Sequence, residues 1–421
     1  MVLSIRNQIN TVNMNKKSSF PISEPYAVLS NDNTVLTFYY DGQKESRQGL
    51  DIGPFRHDSV RWGGHASDIK TVVFDNTFSA CTTITSIAFW FAGFTRLTDV
   101  KGIENLKTDY VTDMSCMFCG CSKLTKLDVS GFATNNVVYM YFMFDGCSSI
   151  QNLNVSNFDT SNVTDMSHMF AFCESLRELD ISGFVTDDVT DMSYMFYMCS
   201  RLTNLDVRGF NTSNVEDMNG MFNGCSGLTN LDVHNFDTSN VTDMGDMFFG
   251  CSSLTNLDLS SFHTSHVMNM SSMFAFCSNL SSLFLNSFTT DKVTDMSSMF
   301  SFCCAMKSLD LSNFNTNNVK DMCWMFENCC NLTTLDLSGF TTNHVTDTER
   351  MFFCCSSLKS IFVRNEWRTS QLKYMDDMFA GCYSLVGGNG TVYNDEHINY
   401  EYARIDKVGK PGYFKRSGDN L

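Results

Sequence analysis

The sequence predicts an α/β solenoid: a stack of 26-residue coils, one short strand and one short helix in each, with a capping segment at both ends. Three observations predict it. A Met-Phe pair recurs at Met117, Met143, Met169, Met195, Met221, Met247, Met273, Met299, Met325 and Met351, always 26 residues apart. A cysteine stands four positions behind each, from Cys121 and Cys147 through Cys329 and Cys355. Within each unit the apolar spacing changes from two to three-and-four, which reads as strand and then helix. The last copy, Met378 with Cys382, is one residue late, and the extra residue is expected around "VRNEW".

The coil after Cys147 shows the elements in order. "SIQNLNV" places Leu153 and Val155 on alternate residues, as one buried face of a strand requires. A turn is expected around Phe158 and Thr160. Val163, Met166, Met169, Phe170 and Cys173 then fall three or four apart, the spacing of one helix face. Thr164 and Asp165 stand where side chains would cap that helix.

No coil can stand alone. Roughly seven buried apolar side chains contribute about 1.5–3 kcal/mol each, while ordering 26 residues costs about 1–2 kcal/mol per residue. Neighbouring coils must therefore share hydrogen bonds and bury one another's faces. At about 4.8 Å per stacked strand the array would be on the order of 50 Å long, with Met on Met, Phe on Phe and Cys on Cys. The Cys column reads as core packing, a free thiol behaving as a small hydrophobe. The alternative is a disulfide ladder, which an odd number of column cysteines would leave with one thiol over.

Other residue classes are less specific. "CMFCGC", with Cys116, Cys119 and Cys121, invites a metal reading, but Cys121 belongs to the column and no second ligand cluster lies nearby. No metal or cofactor is expected. The adjacent thiols Cys303-Cys304, Cys329-Cys330 and Cys354-Cys355 fit a reducing setting. Asp recurs before the Met-Phe pair, as at Asp165, Asp191, Asp217 and Asp243, and reads as a helix cap; a calcium ladder is the alternative. Tyr139, Asn269 and Tyr374 interrupt that column. The histidines are scattered, His266 standing where other coils carry Asn, and no nucleophile–base pair or phosphate loop appears, so no catalytic residue is assigned and no enzyme is expected.

Composition narrows the partners. Hydrophobic content of 43% is enough to build a core, and 46 acids against 29 bases give a net charge of −17. That charge repels nucleic acid and anionic membranes. No apolar run is long enough to span a membrane, so no membrane insertion is expected. The first residues contain no apolar secretion segment, which keeps a cytoplasmic location open.

The slots that differ between copies are the candidate site. Around each Met-Phe pair they carry Phe142, Phe172, Tyr194, Tyr197, Phe249, Phe276, Phe302, Trp324 and Phe353. Positions tolerant of any chemistry are expected to be exposed, and exposed aromatics are frequent partner anchors. The alternative is that some of these rings only seal gaps between helices.

Domain limits follow from where the period holds. Residues 1–24 are expected to be disordered, 25–60 to form a β-hairpin cap on "YAVLSNDNTVLTFYYDG", and 61–107 to be irregular capping coils. In the latter Trp90-Phe91 stand for Met-Phe and Phe94 for Cys. Residues 108–385 are the repeat array and 386–421 the C-terminal cap, with "GGNG" at its start.

The unit "NVTDMSxMFxxCSSLTNLDLSNFDTS" resembles the BspA-like leucine-rich repeat in its 26-residue bacterial lipoprotein-type form, over about residues 90–385. "EPYAVLSNDNTVLTFYYDG" and "YARIDKVGKPGYF" also resemble segments that flank such repeats. The resemblance implies a right-handed leucine-rich-repeat-like solenoid on a bacterial cell surface, adhering to a host or neighbouring-cell protein or glycan. An intracellular interaction scaffold is the alternative. The oligomeric state is not indicated.

Overall fold

In the computed structural model the described residues are 23–364, 367–368 and 370–418. The segment expected to be disordered lies outside them up to residue 22, whereas Glu24 already begins the first strand.

The chain starts as a hairpin. Strand β1 (Glu24–Leu29) pairs antiparallel with β2 (Val35–Asp41) across the turn that carries Asp32 and Asn33. Parallel pairing then begins: β2 joins β3 (Thr71–Phe74), and β3 joins β4 (Asp99–Lys101). Phe38, Phe74, Phe78 and Trp90 fill the space beneath, with Phe38 stacked on Phe74 at 4.7 Å and on Trp90 at 5.0 Å. Trp62 seals this end by donating its indole N–H to the Trp90 carbonyl at 2.6 Å.

Beyond the cap the coils stack in strict register. Parallel bridges join Ser86 to Asp113, Asp113 to Tyr139, Tyr139 to Asp165, and so on through Asp347 to Tyr374. The columns inferred from the sequence are physical. The rings from Phe118 through Phe352 to Phe379 stack at 5.6–5.9 Å, within 11° of parallel.

One expectation is overturned: among the described residues there is no α-helix, so the coils are not of the strand-plus-helix kind. The stretch from Met166 to Cys173 is two successive four-residue turns. Met169, Ala171 and Cys173 donate N–H to Met166, His168 and Phe170 in their own coil. Between them Met166, His168, Phe170 and Phe172 donate forward to Asp191, Ser193, Met195 and Tyr197 of the next coil. A helix would keep all these bonds to itself. Sharing every second one instead joins each coil to its neighbour, each bond contributing about 0.5–1.5 kcal/mol net. Two backbone positions per coil pay for this geometry with left-handed φ: the slot before Met at +52° to +58° and the slot before Cys at +54° to +78°.

The strand side is also corrected. The expected strand appears only in some coils, as β5 (Asn256–Asp258) with β6 (Ser282–Phe284), and β7 (Thr334–Asp336) with β8 (Ser360–Val363). The coils stand farther apart there. Rings of the Phe236, Phe262, Phe288 and Phe314 column are 6.3–6.4 Å apart, and a cleft of about 450 Å³ parts Asp99 from Lys126.

Side chains complete the stitching. Each column Cys donates its thiol to the Phe carbonyl of the preceding coil, at 2.9–3.4 Å from Cys121 through Cys382. All eighteen cysteines are free. Buried Thr238 donates to the His263 carbonyl at 3.0 Å and accepts the His263 N–H at 2.8 Å, and equivalent threonines such as Thr160 and Thr290 do the same. Asn162 and Asn240 hold a carbonyl of the preceding coil, and His266 makes the same contact to the Ser239 carbonyl at 2.9 Å.

The C-terminal segment closes the stack. Strand β9 (Phe414–Arg416) pairs parallel with β8, and buried Tyr413 and Phe414 pack on Phe379. The late step has a bracketed position. Thr316 bonds Thr341, 25 residues on, but Thr342 bonds Arg368, 26 on, while β7 and β8 still pair in step through Asp336 and Phe362. The extra residue therefore lies between Phe362 and Arg368, a stretch in which residues 365 and 366 are outside those described.

Candidate functional site

The double turn decides which side chains face outward. In the coil of Asp165, the buried Met166, Met169, Phe170 and Cys173 point to the core. The slots of Asp165, His168 and Phe172 form the outer surface. The two left-handed positions thus both project outward from the core, where a side chain meets solvent and the equivalent slots of neighbouring coils.

None of the nine aromatics picked from the sequence is buried; Phe172, Phe276 and Trp324 are the most open, at 39%, 43% and 38% exposed. The structure gathers them unequally. Phe142, Tyr194, Tyr197 and Phe172 form one group. A second holds Phe249, Phe276 and Phe302, with Phe276 and Phe302 stacked at 4.5 Å and 9°. Trp324 and Phe353 lie farther along, Phe353 beneath the Arg350 guanidinium at 5.1 Å. The alternative, that some of these rings only seal gaps, now applies to gaps between turns of neighbouring coils, as where Tyr194 lies over Gly220.

His168 is the residue the choice missed. It sits between Phe142, stacked at 4.1 Å and 9°, and Tyr194, at 4.8 Å and 25°. Burial pushes its imidazole pKa down, and its Nδ1 has no partner. The signal was available, since His168 occupies the same repeat slot as Phe142 and Tyr194. Tyr194 in turn lies flat over Gly220: a Cβ there would stand 2.4 Å from the ring. Met198 covers Gly224 in the same way, at 2.3 Å.

Bulky residues hold left-handed φ at Phe142, Phe172, Tyr194, Phe276, Phe302 and Trp324. Outside glycine that conformation costs roughly 1–2 kcal/mol per residue. Glycine fills the equivalent slots in other coils, as at Gly146 and Gly250, while Asp246, Ser272, Ser298 and Arg350 hold the same conformation, so the strain belongs to the turn and is met by rings and polar residues alike.

Beside the rings runs the Asp column. Each Asp accepts the amide two residues on, as Asp165 does from Ser167 at 2.9 Å and Asp217 from Asn219 at 2.8 Å. They cap turns, not helices. Desolvation, with the neighbouring carboxylates adding to it, pushes the pKa of Asp165, Asp217 and Asp347 up.

Asp321, Cys323 and Asp347 place one ligand atom each within 4.8 Å of one another. Burial and Asp321 hold the Cys323 thiol protonated, and three donors fall short of a tetrahedral set. In "CMFCGC" the thiols diverge: Cys121 bonds the Phe91 carbonyl in the core, and Cys119 bonds Asp145 at 3.4 Å.

A family model described as "Mycoplasma protein of unknown function, DUF285" matches residues 85–204, 190–307 and 277–389. Among solved structures, the chain is similar to a leucine-rich repeat protein from Bacteroides ovatus. The identity is 16% and the TM-score 0.40, over 88% of this chain and 94% of that one. It is also similar to the functional domain of InlJ from Listeria monocytogenes, described as including a cysteine ladder, at 14% identity and TM-score 0.21. That match covers 69% of this chain and 65% of the other. A chain of the Drosophila Toll–Spatzle complex matches at 13% identity and TM-score 0.20, over 85% and 66%. No curated protein matches the chain.

Proposed function

This chain belongs to the DUF285 family, and we propose that it is a non-enzymatic binding protein that grips a protein partner through the outward face of its turn ladder. One observation carries the proposal: rings gather in the outward slots of neighbouring coils, from Phe142 to Tyr197 and from Phe249 to Phe302, with Phe172, Phe276 and Trp324 the most open. Within the sequence's choice of protein or glycan, the stacking favours protein. Phe142, His168 and Tyr194, like Phe276 and Phe302, stack along the array, so they cover each other's faces and present edges. A sugar platform needs open ring faces, whereas ring edges and the crevices between them suit apolar side chains. The acidic column beside them suits a partner carrying Lys or Arg.

The reading that the sequence resemblance supports is a right-handed solenoid of the BspA-like kind, held on a bacterial cell surface against a host or neighbouring-cell partner. The eighteen free cysteines favour a second reading, an intracellular scaffold in a reducing compartment. Protease shaving of intact producing cells separates the two: release of its peptides with cytosolic markers retained supports the surface, and protection until lysis supports the scaffold.

Binding is tested by probing protein and glycan arrays with the wild-type chain and with Phe172→Ser, Phe276→Ser and Trp324→Ser combined. The expected result is retention on protein features that the triple variant loses. Retention on glycans alone, or equal retention by the variant, would overturn the proposal.

A further inference from the structure

A separate cleft of about 500 Å³ lies where the N-terminal cap meets the first coils, well within the size of small-molecule sites. Its lining combines aromatic rings with two charges that do not satisfy each other. The Arg61 guanidinium lies over the Phe89 ring at 5.6 Å, and its hydrogen bonds are long, to the Arg56 carbonyl at 3.5 Å and the Ala92 carbonyl at 3.4 Å. Its Nε is buried with no partner, and among the described residues no carboxylate pairs with it. A guanidinium with donors unused in a partly buried place is an expensive arrangement unless something completes it. Its planar fork fits a carboxylate.

Asp145 lines the same cleft. Among the described residues its side-chain partner is the Cys119 thiol, and burial raises its pKa. Phe89, Tyr141 and Phe142 supply the apolar lining, and Phe89 and Phe142 hold left-handed φ of +62° and +56°. The cleft thus sets rings beside a cation that has no carboxylate partner among the described residues.

We propose that this cleft binds an aromatic monocarboxylate, its ring among Phe89, Tyr141 and Phe142 and its carboxylate on Arg61. Asp145 sets the orientation by repelling the acid group from its own wall and disfavours any ligand with a second negative charge. The ligand is either a free aromatic acid or the C-terminal aromatic residue of a peptide. The site shares only Phe142 with the array face, so either proposal can fail without the other.

The test is calorimetric titration of the full chain with N-acetyl-L-phenylalanine, with its carboxamide, and with a short peptide ending in Phe. The acid is expected to bind saturably and the amide roughly 10-fold or more weaker, the loss of a charge-assisted bond. Tighter binding of the peptide than of the acid would identify a chain terminus as the ligand; equal or weaker binding would identify a free acid. Arg61→Gln is expected to abolish the acid–amide difference and Asp145→Asn to tighten the acid. The acid–amide comparison needs no variant, so misfolding of Arg61→Gln leaves the test intact. Equal binding of acid and amide, or no saturable binding of the acid, would overturn the proposal.

Discussion

Raising the pH should unfold this protein through its cysteine column. The eleven column thiols, from Cys121 to Cys382, are buried, and desolvation raises the pKa of every one, Cys199 and Cys277 up to about 12. In the unfolded chain they return to about 8.5. Above that value the unfolded state binds fewer protons than the folded one, so stability falls as pH rises; below it their contribution is complete. At pH 9.5 each thiol favours unfolding by about 1.4 kcal/mol, and eleven together by on the order of 15 kcal/mol. That matches the whole stability of a typical domain. Urea unfolding followed by circular dichroism from pH 7 to 10, with reductant present, should show a flat midpoint to about pH 8 and a steep fall above it. Thiolate absorbance from the eleven column cysteines should appear only as structure is lost, leaving at most the seven others to ionise earlier. Replacing Cys225 and Cys251 by Ala should lower stability at neutral pH and make the alkaline fall shallower. A midpoint at pH 9.5 equal to the neutral one, or absorbance of more than seven thiolates preceding unfolding, would refute the buried-thiol account.

Three substitutions probe the stitching and the strain, each read as a shift in urea midpoint. Thr238→Val removes both bonds to His263 and should cost about 1–2 kcal/mol more than Thr238→Ser, which keeps them; equal costs would show that the threonine column does not join coils. Thr348 stands in the Met column with its buried hydroxyl unpartnered, so Thr348→Met should stabilise by about 1–2 kcal/mol, and a destabilised variant would mean the column narrows there. Phe172→Gly should change stability by less than about 1 kcal/mol, since relief of left-handed strain offsets the lost contact with Tyr197. Phe170→Ala, two residues earlier in the core column, should cost about 3–5 kcal/mol, and similar costs at both sites would contradict the outward placement of Phe172.

The period and the identity of the core columns were legible in the sequence, because stacking makes each repeated residue meet its own copy. The helix was a misreading with a physical cause. Two successive four-residue turns place Met166 and Phe170, or Met169 and Cys173, four apart, which apolar spacing cannot tell from a helix face. The distinguishing signal was glycine. It recurs directly before the column cysteine at Gly120, Gly146, Gly224, Gly250 and Gly381, where a helix would disfavour it and a left-handed turn admits it. The variable aromatic slots were legible as a surface, but their stacking was not, because Tyr194 over Gly220 is a relation between coils. His168 was passed over although it shares the repeat slot of Phe142 and Tyr194, because the choice was restricted to Phe, Tyr and Trp; its place between their rings is the pattern that slot spacing implies. The cleft at Arg61 had no signal at all, being assembled from the cap and three separate coils.

The central claim is that the aromatic face of the turn ladder takes hold of a protein. Carbene footprinting of the chain, alone and with the tightest protein captured on the arrays, tests it most directly. Protection should appear at Phe172, Tyr194, Phe276 and Phe302 and leave the opposite strand side around Asn256, Ser282 and Thr334 unchanged. Protection on the strand side, with the rings labelled as before, would contradict the account.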